Sequence, residues 1–94
     1  MKLLITTQVY ENYGDAEKPY WKAKGGSDYV VKNFKGYTTT TVMVLRDQIE
    51  QDNEMFREYI LDFQLVADDY LTEFERSQLE YEGKITYGPK ELVF

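Results

Sequence analysis

Four carboxylates, Asp47, Glu50, Glu54 and Glu58, recur every three or four residues, and Asp68, Asp69, Glu73, Glu75, Glu80 and Glu82 follow with Arg76 alone among them. On a helix rising ~1.5 Å per residue, the first four would stand about 4.5–6 Å apart along one side. Such groups can hold a hard cation, act as acid and base, or present a negative surface. A calcium loop needs alternating carboxylates ending in glycine, and Asp62, Asp68 and Asp69 do not supply that spacing. Acid–base work needs a pocket that perturbs one carboxyl group, and nothing in the chain signals one. A negative surface remains. Like charges at i,i+4 cost a few tenths of a kcal/mol, roughly 0.2–0.5 per pair, so a helix selected for stability alone would carry more lysine. The bland reading is a solvated face that aids solubility. The sharper one is a docking surface for a basic groove, with steering and displacement of a natural polyanion as its mechanism. Its candidate residues are Asp47, Glu50, Glu54, Glu58, Asp68, Asp69, Glu73 and Glu75.

A second constellation lies in "PYWKAKGGSDYVV", where Lys22, Lys24 and the pair Gly25-Gly26 sit among Tyr20, Trp21 and Tyr29. A phosphate loop of the G-x-x-x-x-G-K-[ST] kind opens a helix. Here the glycines are adjacent, no Lys-Ser or Lys-Thr follows, and strand formers come next. Gly-Gly is instead a favoured two-residue hairpin loop, which would pair Trp21 with Val30 and Ala23 with Asp28. Lysines beside aromatic rings can also bind single-stranded nucleic acid, so Tyr20, Trp21, Lys22, Lys24 and Tyr29 form an alternative nucleic-acid site. Against it, strand alternation turns Trp21 away from Lys22 and Lys24. A third reading is a small ligand-binding protein or enzyme with a pocket lined by Tyr10, Tyr13 and Tyr20.

The chain has no cysteine and no histidine. Disulfides, thiolate or imidazole metal sites and Cys–His or Ser–His nucleophiles are therefore excluded. The expected reading is non-enzymatic, with no cofactor and no metal. Net charge is −6, and it is unevenly placed: residues 1–46 sum to +3, residues 47–82 to −10 and residues 83–94 to +1. That asymmetry bears on partners rather than on fold. Nine Tyr, five Phe and one Trp among 94 residues argue for one folded domain spanning 1–94, because disordered chains lack such surface. No apolar run approaches the ~20 residues of a membrane span, and "MKLLITTQVYENYG" lacks the form of a signal peptide. A cytoplasmic, non-membrane protein is expected.

These residues must be positioned by a few elements. "KLLITTQVY" (2–10) reads as a central strand, since apolar residues occupy both faces. Residues 11–19 read as a polar loop. From residue 42 the period changes: Val42, Leu45, Ile49, Phe56 and Ile60 gather on one side at ~100° per residue. This predicts an amphipathic helix over about 42–59, capped by Thr40 or Thr41, with Asn53 as a blemish. Residues 61–67 alternate Leu61, Phe63 and Leu65 against Asp62 and Gln64; they fit a half-buried strand, or an extension of the helix. Thr72 and Glu75 fit a capping box and Gly83 a stop, which predicts a helix over 73–81. "KITYG" (84–88) reads as a strand, and "KELVF" as an edge strand. The sum is an α+β fold, with a mostly antiparallel sheet of four or five strands packed by one long and one shorter helix. A homodimer through an edge strand or the aromatic surface is a further option.

The run "LLITTQVYENYG", followed by "YWKAKGG" and "YVV", and later by "REYI" and "VADD", resembles small uncharacterised proteins encoded by phages and plasmids. The resemblance covers the first third well and the rest loosely, and it carries no catalytic residue. It implies a mobile-element accessory protein, of the sort that inhibits host defence or host DNA-handling enzymes. Host-protein binding through the acidic face, in the manner of a DNA mimic, is the resulting expectation.

Overall fold

The computed structural model describes residues 1–92. Its organising element is β1 (Lys2–Asn12), an eleven-residue strand flanked on both sides along its length. On one side runs β5 (Phe56–Val66), antiparallel; on the other lie β2 (Trp21–Ala23) and β3 (Asp28–Val31), also antiparallel to β1. The sequence supports this placement: Leu3, Leu4 and Ile5 are all buried, as befits a strand covered on both faces. Short β4 (Gln51–Asp52) pairs with the start of β5, and β6 (Lys90–Glu91) pairs with β3 in parallel. The sheet is therefore mixed, rather than mostly antiparallel, and has six strands among the described residues. Of the expected edge strand at "KELVF", Lys90–Glu91 forms β6, while Val93 and Phe94 lie outside the described residues.

Helix α1 (Thr39–Ile49) lies over one face and closes the core, with Leu45 and Ile49 packed against Leu3, Ile5 and Val31. It is shorter than the predicted 42–59 helix and starts earlier. Thr38, not Thr40 or Thr41, is its N-cap, accepting from the Thr41 N–H at 3.1 Å. It ends at Glu50, whose φ of −72° and ψ of 136° are extended. Asn53 then makes the turn between β4 and β5: its Oδ1 accepts from Met55 N–H at 2.9 Å and Phe56 N–H at 2.8 Å. The residue that interrupts the helical pattern is thus the one that reverses the chain. Residues 61–66 belong to β5, so the strand reading holds there. The predicted strand at 84–88 does not form; that segment is held by α2 (Glu73–Glu82), as described below. Helix α2 has the predicted capping box of Thr72 and Glu75 and ends on Gly83 in the left-handed region.

The false helical signal has a structural cause. The β1–β5 register slips by one residue between Thr6 and Thr7: Thr6 faces Asp62 but Thr7 faces Ile60, leaving Leu61 as the extra residue. The bulge resets the alternation of β5. Phe56 and Ile60 before it, and Phe63 after it, therefore share the face under α1. Their spacing of i, i+4, i+7 is that of a helix stripe.

The glycine pair also departs from expectation. Strands β2 and β3 do not pair with each other; both lie along β1, end to end. Gly25 and Gly26 are the kink between them, one residue longer than the β1 stretch they face. Val9 N–H donates to Gly25 O at 2.8 Å, and Thr7 N–H to Ser27 O at 3.0 Å, so the ladder continues through the kink. Gly25 has φ +92°, and a Cβ on Gly26 would stand 2.0 Å from Thr7 O. The two glycines are thus needed for different reasons, conformation and close approach. In urea unfolding, Gly25→Ala is expected to cost about 1–2 kcal/mol. Gly26→Ala must push two paired main chains apart, so the larger loss is expected there, about 3 kcal/mol. An equal or reversed order would show that the kink is not built as described.

Candidate functional site

The one strongly buried carboxyl group in the chemistry-bearing set is Glu58, 5% exposed. It sits on β5 opposite Val9, on the face beneath α1. Its Oε2 accepts from the Thr7 hydroxyl at 2.7 Å and from the Tyr29 hydroxyl at 2.9 Å. Thr7 Oγ1 in turn accepts from Ser27 N–H at 3.2 Å. One side chain therefore ties together β1, β3 and β5 where the strand registers slip. A buried polar group must find partners or cost free energy, and the cluster has them. Burial, together with the Glu58 bond and charge, pushes the Tyr29 phenol up to about 12.

Surface cavities open elsewhere. One of about 510 Å³ is lined by Lys32, Phe34, Lys35 and Leu92 among others. Another of about 350 Å³ is lined by residues that include Trp21, Asp52, Glu54 and Arg57. Neither includes Glu58, Thr7 or Tyr29, nor Tyr10, Tyr13 or Tyr20. Among the described residues no cluster of three carboxylates is arranged to hold a metal ion. Their helices include none long and apolar enough to cross a membrane.

The four carboxylates expected along one helix do not share it, because α1 ends at Ile49 with Glu50 as its C-cap, before Glu54 and Glu58. Asp47 is exposed on α1. Glu50 is its C-cap, with Oε2 accepting from Ile60 N–H at 2.9 Å. Glu54 is exposed in the β4–β5 turn, and Glu58 is buried in the sheet. Asp68 pairs with the chain's amino terminus at 3.0 Å. Asp69 and Glu73 are exposed, and Glu75 closes the capping box on Thr72. Asp47, Glu54, Asp69 and Glu73 are exposed and form no ion pair among the described residues.

The basic–aromatic set is also divided. Trp21 lies opposite Asn12 on the face away from α1, under the Arg57 guanidinium at 4.0 Å. Arg57 is held there by Asp52 at 2.9 Å. Lys22 and Lys24 point to the other face, where Lys24 meets Glu11 at 3.0 Å and Lys22 stands over the Tyr13 ring. The Lys24 bond holds the Glu11 carboxyl below its ordinary range. Tyr20 is exposed, and Tyr29 turns to Glu58. These five residues do not share one face.

Sequence reasoning missed an exposed apolar set on α2. Phe74, Leu79 and Tyr81 are 60%, 47% and 84% exposed. The buried side chain of α2 is Gln78. Its Oε1 accepts from Thr86 N–H at 3.0 Å and Tyr87 N–H at 2.8 Å, while its Nε2 donates to Tyr87 O. The helix is thus stabilised by its cap and by a glutamine clasp on the segment that follows, not by an apolar stripe in the core. A signal was present: Phe74 and Tyr81, at i and i+7, share one side of a helix, but Leu79 at i+5 stands about 140° away, so the three form no single core-facing stripe. No family model matches the chain, and no curated protein or solved structure matches it.

Two outcomes check the buried cluster. Thr7→Val removes a donor to Glu58 while keeping shape, and an unfolding titration should show a loss of about 2 kcal/mol. The Tyr29 phenol is raised in the folded state, so its contribution is complete below the unfolded value near pH 10 and is lost as pH rises through about 12. An ultraviolet titration should show one tyrosine ionising later than the rest. That late step should vanish in Tyr29→Phe; its survival there would assign it elsewhere.

Proposed function

We propose that this chain is a non-enzymatic binding protein whose working surface is α2 with its flanks, and whose partner is a protein with a basic surface around an apolar groove. One observation carries this reading. Helix α2 places Phe74, Leu79 and Tyr81 in solvent beside Glu73, Glu80 and Glu82, while its buried side chain is a clasped glutamine. A helix that gives its own core so little apolar surface has that surface free for another molecule. Aromatic anchors supply most of the energy of such contacts, and the surrounding carboxylates supply steering and choice of partner. The exposed Asp69 and Glu73 extend the acidic surface at the helix start. Of the nominated carboxylates, this reading keeps these two and leaves Glu50, Glu58 and Glu75 to structural work.

The role of Glu58 supports the non-enzymatic side of the proposal. Its hydrogen-bonding oxygen is occupied by two hydroxyl groups inside the sheet. A cytoplasmic setting and a mobile-element accessory role, in which the partner is a host protein, complete the proposal; they rest on composition and on the sequence resemblance.

Two variants separate the contributions. Phe74→Ala with Tyr81→Ala should leave the fold intact by circular dichroism and weaken partner capture at least tenfold at any salt. Glu73→Gln with Glu80→Gln and Glu82→Gln should weaken capture mainly at low salt and flatten its salt dependence, because screening already suppresses the charge term at high salt. Pull-down from host lysate at two salt concentrations, followed by affinity measurement on the recovered partner, reads both. Capture that is indifferent to both variants would remove α2 from the interface.

A further inference from the structure

The outer side of β5 changes character halfway along. Hydrogen bonding along β1 shows which way each residue faces. Asn12 N–H bonds toward β5, to Met55 O at 2.9 Å, while Thr7 and Val9 bond toward the other side. Even-numbered residues of β1 therefore serve β5, and Asp62, Gln64 and Val66, opposite Thr6, Leu4 and Lys2, bond inward. The outward groups before the bulge are satisfied: Phe56 O accepts from Asn53 N–H at 3.0 Å, and Ile60 N–H reaches Glu50 at 2.9 Å. After the bulge the outward residues are Phe63 and Leu65. Strand β4 stops at Asp52 and pairs no further than Glu58. Among the described residues, no side chain and no further strand bonds the outward main chain of Phe63 or Leu65.

The main chain of this sheet edge is unpaired, and the side chain that packs beside it is Tyr37, its ring edge-on to Phe63 at 6.0 Å. Edges are ordinarily blunted by lysine, proline or a covering segment. From Glu58 to Glu75 the chain has no lysine, arginine or proline. Leu61 and Leu65 are 63% and 46% exposed along it.

We infer that the edge of β5 at Phe63 and Leu65 is a self-association surface, and that its occupant is the same edge of a second copy, running antiparallel about a two-fold axis at Gln64. The register follows from the outward groups. Phe63 exchanges both main-chain hydrogen bonds with the partner's Leu65, and Leu65 with the partner's Phe63. Their side chains form two Phe–Leu cross-strand pairs on the face continuous with the core. On the opposite face Gln64 meets the partner's Gln64, and Asp62 meets the partner's Val66, so no like charges stand opposite each other. The two Asp62 carboxylates would lie four residues apart along the paired strands, about 14 Å at ~3.4 Å per residue. That exceeds the ~8 Å screening length at physiological salt. A basic peptide strand would find one carboxylate on this stretch; a second copy finds its own apolar pairs repeated.

The chain has no cysteine, so a single introduced thiol reports the register cleanly. At the two-fold axis, Gln64 and the partner's Gln64 form a non-hydrogen-bonded pair with Cα atoms about 4.5 Å apart, within disulfide range. Gln64→Cys should therefore form a covalent dimer under mild oxidation that reverts on reduction, and Lys22→Cys, exposed on β2, should not. The unmodified chain should sediment at twice its monomer mass, and Leu65→Lys should return it to monomer with unchanged circular dichroism. Each copy carries a charge of −6, so added salt should tighten this association, the opposite of its effect on an acidic surface docking on a basic partner. A chain that remains monomeric at high concentration, or equal cross-linking of the two cysteine variants, overturns the inference. So does a dimer that survives Leu65→Lys without cross-linking at position 64.

Discussion

The structure depends on one dislocation in the middle of its central strand. Between Thr6 and Tyr10, β1 loses register with both neighbours: β5 has Leu61 in excess at Thr6–Thr7, and on the other side Gly25 O and Lys24 N–H both bond Val9, so the extra residue enters there. A bulge on one side of a strand bends and twists the sheet; bulges on both sides within a few residues of each other divide it into two segments. Under α1 lie Leu3, Ile5, Val31 and Phe63, the core proper. Beyond the dislocation lie the Trp21–Arg57 stack and the 13–20 loop, the latter held by Asn12, whose Oδ1 accepts from Gly14 N–H and Tyr20 N–H at 2.9 Å. The Glu58, Thr7 and Tyr29 bonds cross the junction. They supply side-chain hydrogen bonds where the ladder changes register, which is a physical reason for a carboxyl group in so buried a place.

The same dislocation governs what remains on the surface. Strand β5 is eleven residues long, but its outer neighbour β4 covers only the beginning, leaving the stretch after the bulge with an open side. The chain then leaves the sheet, forms α2, and returns as β6 to pair with β3 in parallel. A return to the far edge needs a long crossover, and α2 is the middle of it. Because the crossover is fastened at its ends, and by Gln78 within itself, α2 does not have to pack an apolar face on the sheet. Its aromatic and acidic side chains remain outside. The slab-like extents of 46 × 38 × 17 Å fit a sheet with limited helical cover. In such a layer a large share of the apolar side chains must face solvent or another molecule.

Local chemistry was legible where one short stretch decides the outcome. Thr72, Glu75 and Gly83 mark α2 because capping bonds form between residues three or four apart. The triple "LLI" marks β1 as covered on both faces. The stretch from Asn53 to Ile60 was not legible in the same way. Asn53 is a strong turn residue, but Phe56 and Ile60 continue a helical stripe from Leu45 and Ile49, and period outweighed punctuation. A strand with a bulge repeats its buried positions at three- and four-residue steps, so its pattern imitates a helix until the neighbouring strand is known. The glycine pair failed similarly: Gly-Gly satisfies a hairpin turn locally, and only Thr7 O, nearly twenty residues away in sequence, shows why Gly26 must lack a side chain.

Residue types and short-range contacts set the chemical vocabulary and local grammar: no thiol, no imidazole, a segment of charge −10 between residues 47 and 82, one long central strand and a capped helix near the carboxyl end. Tertiary structure alone decided which carboxylates are surface and which are interior. Glu54 and Glu58 are neighbours in the acidic repeat, yet one stands in a turn and the other is buried against the sheet, bonded to residues 51 and 29 positions away. That choice is set by pairing partners across the sheet, and a one-residue slip sends a side chain from solvent to core. Charge and period can be read along a chain; register can be read only between strands.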